Sequence, residues 1–306
     1  MITRRRFLQV ASGALVSTVA LGGYAMGVEP MLRLNVTRYR LTPAGWPPGL
    51  KLTLAALADV HAVVPGMSVE RIRQICAAAN ALNPDLTLLL GDYTRGRKQG
   101  WTVPSAAWAK ALGTLRAPLG VHAVLGNHDW WDDLGVQQKG EGMPVSYRTL
   151  SDNGLSVYHN RSIRLTKDGR PFWLAGLGDQ LAMLPARRKG IVKWAHLDDL
   201  PATLAQVTDD APVILMAHEP DIFPSVPARV NLTLSGHTHG GQVRVMGYSP
   251  VVPSKYGNRY AYGHIREDGR DLIVSGGLGC SMIPVRLGVP PEILLIELGG
   301  DASGTT

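Results

Sequence analysis

Residues 236–241 read Gly-His-Thr-His-Gly-Gly and directly follow the apolar–polar run 230–235, which is typical of a β-strand. On an extended chain His237 and His239 point to opposite faces. They then share one ion only if the chain turns, whereas on an extended loop each can serve a different ion. The flanking glycines leave room for the backbone to approach a ligand closely. Taken alone, such a stretch is more often a polar turn with two solvated histidines.

Four other apolar runs end in the same kind of side chain, which changes this interpretation. Strands are predicted over residues 51–58, 85–90, 120–125 and 212–217, in addition to 230–235. Binding sites of α/β proteins lie beyond the carboxyl ends of strands, so the five ends can gather around one site. The side chains that follow the five runs are Asp59 and His61, Asp92, Asn127 and His128, His218, and His237 and His239.

The order of the predicted elements indicates an α/β fold. A helix that begins at Ser68 and another over about 104–116 separate the first three strands, which predicts a largely parallel first half. Further along, the sequence predicts an edge strand at 32–36, helices at 144–153 and 194–207, and strands at 155–158, 171–175, 242–246, 272–275 and 292–298.

Composition describes a globular chain with little affinity for nucleic acid. Of the 306 residues, 45% are hydrophobic and 18% are charged, so the chain can bury a sizeable core. The net charge is +7, and Arg4–Arg6 supply three of those charges. A modest positive charge suits an anionic substrate or an anionic membrane surface. The chain has no dense run of Lys and Arg, which makes a nucleic-acid partner unlikely.

The first residues have the pattern of an export signal. Residues 3–8, Thr-Arg-Arg-Arg-Phe-Leu, match the twin-arginine pattern, and 10–26 form a small-residue apolar stretch. We therefore expect three regions: a twin-arginine signal or anchor segment at 1–26, a lead-in at 27–50 and a catalytic domain at 51–300. A cut after Ala25 and retention as a membrane anchor are both compatible with the sequence.

The two cysteines do not point to a metal site. Cys76 lies on the apolar face of the helix that begins at Ser68 and is most simply a buried thiol. A disulfide between Cys76 and Cys280 is possible outside the cytoplasm, but the sequence alone does not support or exclude it.

The five motif blocks together resemble the calcineurin-like metallophosphoesterase family. The family pattern D-x-H, G-D, G-N-H-D/E, a lone His and G-H-x-H stands here at residues 59–61, 91–92, 126–129, 218 and 236–239. The wider spelling at 217–221, 235–242 and 284–293 resembles the YkuE/YaeI branch of exported or membrane-associated members. The resemblance implies a four-layer α/β sandwich of two mixed β-sheets flanked by helices.

The resemblance also implies two divalent metal ions and assigns their ligands. The ligand atoms are nitrogen and oxygen without thiolate, which suits Mn, Fe or Zn. One ion would take Asp59, His61, Asp92 and His239, and the other would take Asp92, Asn127, His218 and His237. Asp92 would bridge two ions about 3.5–4 Å apart, which would hold a bridging hydroxide that attacks the phosphorus.

By the same resemblance, His128 is a catalytic residue and not a ligand. It follows Asn127 directly, so it can face the leaving oxygen and donate a proton to it. Asp129 is expected either to orient His128 or to serve as a solvated or capping carboxylate. The adjacent Trp130 and Trp131 are more simply core residues than substrate contacts. Four further histidines lie outside the blocks and receive no chemical role: His122, His159, His196 and His264.

These implications favour an exported, metal-dependent phosphodiesterase or phosphatase in the periplasm or another extracytoplasmic space. The substrate would be a phosphorylated small molecule or a lipid-linked phosphate, including a pyrophosphate-linked precursor of the UDP-2,3-diacylglucosamine type. One alternative is an envelope metal-binding protein without turnover, although His128 would have no purpose there. A nuclease of the same fold is a weaker alternative because of the modest charge.

Overall fold

Two six-stranded β-sheets lie face to face at the centre of the protein. The computed structural model describes residues 3–95, 101–188 and 191–300. Residues 1–2 of the predicted leader, and residues 96–100 and 189–190 of the predicted domain, lie outside this description.

The strands and helices are numbered in chain order. The strands are β1 (Asn35–Leu41), β2 (Leu52–Leu57), β3 (Val63–Val64), β4 (Leu86–Leu89), β5 (Trp101–Thr102), β6 (Val121–Val124), β7 (Ser156–Tyr158), β8 (Arg161–Lys167), β9 (Arg170–Gly176), β10 (Met183–Arg188), β11 (Ile191–Ala195), β12 (Val213–Met216), β13 (Leu232–Ser235), β14 (Gly263–Glu267), β15 (Arg270–Val274) and β16 (Glu292–Leu298). The helices are α1 (Arg4–Gly23), α2 (Glu29–Leu32), α3 (Val69–Ala81), α4 (Ser105–Leu112), α5 (Asn127–Trp131), α6 (Leu134–Lys139), α7 (Val145–Asp152) and α8 (Leu200–Leu204).

Both sheets are mixed. The first has the order β1-β16-β2-β4-β6-β7, and within it β2, β4, β6 and β7 are parallel while β16 is antiparallel to β2. The second has the order β14-β15-β13-β12-β9-β8, parallel in the middle and antiparallel at both edges. The predicted α/β class, with two mixed sheets flanked by helices and a largely parallel first half, is therefore confirmed.

Three apolar clusters build the layers. The facing sides of the two sheets share one cluster, which includes Leu54 and Leu88 of the first sheet and Ile214 and Leu232 of the second. The outer face of the first sheet packs on α3, α4 and α7, and that of the second packs on α8 and the 3₁₀ helix Pro220–Ser225. Central strands buried on both faces explain why their sequences read as continuous apolar runs.

Two edge hairpins were not predicted from the sequence. Strands β8 and β9 are joined at Asp168-Gly169, and β14 and β15 are joined at Asp268-Gly269. Both Asp-Gly pairs have positive φ, 49° and 75° in the first and 50° and 75° in the second. This is the backbone that a two-residue hairpin loop requires. The Asp-Gly dipeptides were the local signal that could have identified these edge strands.

Two predicted elements are wrong. The helix expected over 194–207 is limited to Leu200–Leu204, because Pro201 is tolerated only in a first turn and residues 191–195 pair as a strand. The strand expected over 242–246 makes only isolated bridges. Gln242 and Met246 have positive φ and interrupt an extended conformation there. The edge strand expected at 32–36 begins instead at Asn35 and continues to Leu41.

The N-terminal residues form one continuous helical segment, Arg4–Leu32, in which a π-helical stretch (Tyr24–Val28) links α1 to α2. By length and composition it is the one helix among the described residues that could cross a membrane. None of the residues of α1 is buried.

Further along, Ser68 caps α3 as predicted, by accepting a hydrogen bond from the Arg71 N–H at 3.2 Å. Cys76 and Cys280 are both buried free thiols.

A buried carboxylate ties β16 to the first sheet's edge and to the loop after β15. Glu292 is fully buried, and one of its oxygens accepts hydrogen bonds from the Tyr262 hydroxyl at 3.0 Å and from the Thr37 hydroxyl. The other oxygen accepts from the Gly276 N–H at 2.7 Å. Three donors therefore share one side chain as acceptor, and the buried Gly276 N–H would be left unsatisfied without it.

We expect Glu292→Ala to lower the free energy of unfolding by about 2 to 4 kcal/mol, because it removes the acceptor of the buried Gly276 N–H and of two half-buried hydroxyls. The matched control is Glu297→Ala on the same strand, where the carboxylate pairs with an exposed Arg40. That change should cost at most about 1 kcal/mol. Urea denaturation followed by tryptophan fluorescence measures both, and equal losses would contradict the assigned role of Glu292.

Candidate metal centre

The ends of five central strands meet at one edge of the sandwich. Strands β2, β4 and β6 are parallel neighbours in the first sheet, and β12 and β13 are parallel neighbours in the second. Parallel neighbours bring their carboxyl ends to the same edge, and the shared core holds the two sheets together at that edge. All seven predicted ligands are buried there: Asp59, His61, Asp92, Asn127, His218, His237 and His239.

The ligand side chains form two groups. The donor atoms of Asp59, His61 and His239 all lie within 4.8 Å of one another, and so do those of Asp92, His218 and His237. His237 and His239 therefore belong to different groups, which is one of the two arrangements that the sequence allows. The chain between them is not extended, however, because both residues have left-handed backbone, with φ of 67° and 53°.

Asp92 lies between the two groups. Its Oδ2 atom is 3.5 Å from His61 Nε2 in the first group and 3.3 Å from His218 Nε2 in the second. Its Oδ1 accepts a hydrogen bond from the His128 backbone N–H at 2.8 Å, which fixes the carboxylate plane. Asn127 joins the second group through Oδ1, which is 2.9 Å from His237 Nδ1. One carboxylate oxygen thus contacts imidazoles of both groups.

The backbone is strained where it presents the ligands. Besides His237 and His239, residues Asp59, His61 and Asp92 also have positive φ, of 55°, 44° and 57°. Such a conformation costs about 1 kcal/mol or more for a residue with a Cβ atom. Hydrogen bonds from the Asp59 N–H to the Gly91 carbonyl and from the His61 N–H to the Asp92 carbonyl, each 3.0 Å long, hold the first two strand ends together.

Glycines make room for the ligand side chains. A Cβ atom on Gly126 would lie 2.3 Å from Asp92 Oδ1, and one on Gly236 would lie 2.8 Å from Asp59 Oδ2. The sequence suggested that such glycines let the backbone approach a ligand. In the structure they instead let one strand end approach the coordinating side chains of another.

The donor atoms fit a pair of metal ions. His61 Nδ1–H donates to the Thr94 carbonyl at 2.7 Å, and His218 Nδ1–H donates to the Leu90 carbonyl at 2.6 Å. With Nδ1 bonded to a carbonyl, each ring turns its Nε2, the nitrogen left to bind an ion, towards the centre, and His218 Nε2 is buried without a hydrogen-bond partner. Such backbone anchoring is the usual support of metal-binding histidines. His61 Nε2 and His239 Nε2 are 3.0 Å apart, close to the roughly 3.4 Å between two nitrogens on one tetrahedral ion.

The electrostatics of the centre also fit a cation. Burial raises the pKa of the Asp59 carboxyl to about 7, so this carboxylate lacks sufficient positive charge nearby. Burial lowers the pKa values of His61 and His237 to about 3. These imidazoles are therefore neutral at pH 7 and can bind an ion without losing a proton. Burial disfavours the protonated form of His218, but the negative charges of Asp92 and the other nearby carboxylates together have the larger effect and raise the pKa of the ring well above its usual value.

His128 lies beside the centre and is partly exposed. Its ring meets the His61 ring edge-on with the centroids 4.9 Å apart, and its Nε2 is 3.4 Å from the Ser281 hydroxyl. Trp131 lies on another side, with 5.1 Å between the ring centroids, whereas Trp130 is buried in the core. The donor atoms of His61, Asp92 and His128 lie within 4.8 Å of one another, so an imidazole nitrogen of the half-buried His128 borders both ligand groups.

Asp129 does not orient His128, so that expectation is wrong. Its Oδ2 accepts hydrogen bonds from the backbone N–H groups of Asp92 and Gly126, both 3.0 Å long, and its Oδ1 accepts from that of Tyr93 at 3.1 Å. Both oxygens are thus occupied by backbone donors. The observed role is the capping alternative, carried out in a buried position where Asp129 holds the loop that carries Asp92.

Sequence reasoning missed Arg286. This side chain is fully buried and donates to the carbonyls of Gly276, Gly279 and Val289, and its Nη2 is 3.3 Å from His239 Nδ1. Its positive charge acts on Asp59 and opposes the rise in the pKa of that carboxyl. The Pro-Val-Arg triplet at 284–286 was noticed as part of the family spelling, but a role for Arg286 depends on contacts that only the fold creates.

A second missed feature is the buried carboxyl pair Asp179 and Glu219 behind His218. Both side chains hydrogen-bond to backbone N–H groups, Glu219 to that of Gln180 and Asp179 to that of Leu181. Burial and the neighbouring Glu219 raise the pKa of Asp179 well above its usual value. The three residues lie within 4.8 Å of one another, but His218 already uses both of its nitrogens, at Leu90 and towards Asp92. They do not form a third metal site.

The histidines without an assigned role all have structural partners. His122 bonds to the Tyr158 hydroxyl, His159 packs on Trp130, His196 bonds to the Gln180 carbonyl, and His264 bonds to Asp271. None of them belongs to a potential metal-binding group among the described residues.

The chain is similar to a known family and to several known proteins. Residues 52–241 match the calcineurin-like phosphoesterase family. The chain is 28% identical to the uncharacterized metallophosphoesterase YkuE of Bacillus subtilis, over 97% of this chain and 98% of that protein. It is 30% identical to the phosphodiesterase YaeI of Escherichia coli, over 97% and 100% of the two chains. A dimetal phosphatase from Danio rerio superposes with a TM-score of 0.38 at 13% identity, covering 74% of this chain and 88% of that one. The resemblance seen in the five motif blocks is confirmed, and the chain belongs to the calcineurin-like metallophosphoesterase family of metal-dependent phosphoester hydrolases.

Proposed function

We propose that the protein is an exported phosphoesterase that hydrolyses a phosphodiester, phosphomonoester or pyrophosphate-linked substrate at a dinuclear centre of Mn, Fe or Zn. The observation that carries the proposal is the position of Asp92 Oδ2, within 3.5 Å of an imidazole nitrogen in each ligand group. A carboxylate oxygen shared in this way is suited to bridge two ions.

The residues divide between the two ions as the groups divide in space. Asp59, His61 and His239 would hold the first ion, and His218, His237 and Asn127 would hold the second. Asp92 contributes to both. When bound, the ion pair supplies the Lewis acidity that activates a water and neutralises the phosphoryl oxygens. The set contains only two carboxylates, so a site with two divalent ions stays positive and attracts an anionic phosphate.

His128 donates a proton to the leaving oxygen of the substrate. Its Nε2 faces the mouth of the centre, with Ser281 as its hydrogen-bonding neighbour. The backbone N–H of His128 donates to Asp92 Oδ1, which ties this residue to the carboxylate that would be shared by the two ions. General acid catalysis of this kind is needed most when the leaving group is a poor one.

The twin-arginine pattern supports export. Arg4, Arg5 and Arg6 open the helix α1, and its exposed apolar residues follow directly. A signal for export of folded proteins suits an enzyme that takes up its metal in the cytoplasm. Turnover by the family speaks against the alternative of a metal binder without catalysis.

We expect the purified protein to bind two metal equivalents and to hydrolyse bis-p-nitrophenyl phosphate. Asp92→Asn should lower kcat/KM by more than about 100-fold, because even residues that only support a ligand cost about 10–100-fold. The control is Asp271→Asn, a buried carboxylate at the start of β15, beside the start of β13 and thus away from the centre. Full activity with one bound equivalent would refute the dinuclear assignment.

We expect His128→Ala to keep its metal and to lose rate by roughly 10²–10⁴-fold on a diester with a poor leaving group. The loss should be smaller with a p-nitrophenolate leaving group, which needs little protonation. Rates on two diesters and metal content are measured on the same samples. Equal losses on both substrates would remove the acid role, and a loss of metal would make His128 a ligand or its support.

We expect Arg4→Lys combined with Arg5→Lys to block translocation while the charge is preserved, because a twin-arginine signal is defined by the guanidinium pair. Cell fractionation of the wild type and the double variant measures this. Unchanged export of the variant would leave a general hydrophobic targeting segment in place of the proposed pathway.

A further inference from the structure

The N-terminal helical segment has a projecting part and a docked part. In α1 no residue is buried, and its charge-free stretch from Phe7 to Gly23 would extend over about 26 Å at about 1.5 Å per residue. This length lies at the short end of what spans the roughly 30 Å hydrocarbon core of a bilayer. Arg4–Arg6 lie at one end of the stretch, and Glu29 and Arg33 lie at the other.

The docked part is joined to the catalytic centre. The Ala25 carbonyl accepts a hydrogen bond from the Arg286 N–H at 2.9 Å, and Glu29 Oε1 accepts one from the Val289 N–H at 2.9 Å. Ala25 is 6% exposed and Glu29 is 3% exposed. The bond after Ala25, where the sequence allows cleavage, is therefore part of the folded domain. A protein that folds before export would present this bond inside a helix, with the Ala25 side buried against the domain.

Exposed apolar side chains surround the base of the helix. Six of them, here called the apolar rim, are Met26, Val28, Leu32, Val64, Met282 and Ile283. Met282 is 71% exposed and Ile283 is 58% exposed. Single exposed apolar residues are common, but these six belong to the helix base and to the two loops whose Pro65 and Pro284 line one groove with Pro30 and Met31. Exposed apolar side chains grouped beside an unpaired apolar helix are the pattern of a membrane-contacting surface.

The rim also borders the metal centre. A small groove at the helix base is lined by Pro30 and Met31 of the helix, by Pro65 and Pro284, and by His61 of the first ligand group. Ser281, the neighbour of His128, directly precedes Met282. Met282 of the apolar rim is therefore the sequence neighbour of the residue that contacts His128, the proposed proton donor.

Polar residues at the helix base fit the headgroup level of a bilayer. Arg33 is exposed just after α2, and its Nη1 donates to the Tyr24 hydroxyl at 3.4 Å. Tyrosine and arginine are enriched at membrane interfaces, where a polar tip meets headgroups and an apolar body meets acyl chains. An anionic lipid surface is also complementary to the positive charge of the chain.

We propose that the helix Arg4–Leu32 is retained as a membrane anchor and that the apolar rim lies in the bilayer interface, so that the metal centre acts on the phosphoester headgroup of a lipid. This inference rests on the proposed phosphoesterase function and names its substrate class. The lipid's acyl chains stay in the bilayer beside the rim, while its phosphoester reaches the ligand groups and His128.

The placement of the rim is tested without any activity measurement. Ile283→Cys and Leu134→Cys in the full chain are labelled with a nitrobenzoxadiazole dye and reconstituted in phosphatidylcholine–phosphatidylglycerol vesicles containing doxyl-labelled lipid. Leu134 is the matched control, with 47% exposure on α6. We expect blue-shifted, quenched emission at Ile283 and unquenched emission at Leu134. Equal emission at the two positions would overturn the membrane placement.

The substrate class is tested with two diesters that share one leaving group. Met282→Glu combined with Ile283→Glu should lower the rate on vesicle-bound hexadecyl p-nitrophenyl phosphate by about tenfold or more, because two charges oppose insertion at the interface. The rate on soluble bis-p-nitrophenyl phosphate and both rates of Leu134→Glu should be unchanged. Equal losses on both substrates would overturn the lipid assignment. An inactive wild type would count against the phosphoesterase proposal alone, and the quenching result would still decide the placement.

Retention of the helix is tested by the intact mass of the protein extracted from membranes of producing cells. The expected species contains the complete helical segment. A mature chain that begins at Met26 would overturn the anchor.

Discussion

The carboxylate of Asp92 is buried between two groups of imidazoles, and the surrounding chain is arranged to keep it there. It is 1% exposed, and removing a carboxylate from water costs several kcal/mol unless it is paired. The backbone of His128 holds one oxygen, Asp129 holds the loop on which Asp92 lies, and Gly126 leaves the space that the side chain needs. Such a centre is stable only with positive charge inside it, which links the fold to its metal ions.

The same centre concentrates backbone strain. Five of the eleven non-glycine residues with positive φ among the described residues belong to the ligand groups. A local cost of this kind persists only where the surrounding structure over-determines it. Here the apolar core shared by the two sheets provides that support, because it fixes the strand ends on which the ligands lie. Rigid strands with short strained ends position ligands more accurately than long loops would.

Arg286 connects the three parts of the molecule that the proposals concern. Its backbone N–H binds the Ala25 carbonyl of the N-terminal helix, and its side chain binds carbonyls of the loop after β15. The same guanidinium approaches His239, a member of the first ligand group. A fully buried cation in a cage of carbonyls adds positive charge near Asp59 without a carboxylate partner of its own. The base of the N-terminal helix and the metal centre are therefore both in contact with Arg286.

The sequence by itself determined the fold class, the parallel first half and the identity of the residues that gather at the centre. These follow from local properties, namely the apolar runs that define strands and the side chains placed directly after them. The local sequence left open whether His237 and His239 share an ion, the family resemblance assigned them to different ions, and the structure places them in different groups. Tertiary structure alone decided that Asp129 holds a loop and that Arg286 is buried beside the site. The physical reason is distance along the chain. His61 and His239 are 178 residues apart, and their meeting depends on the packing of two sheets and on left-handed turns that no local pattern specifies.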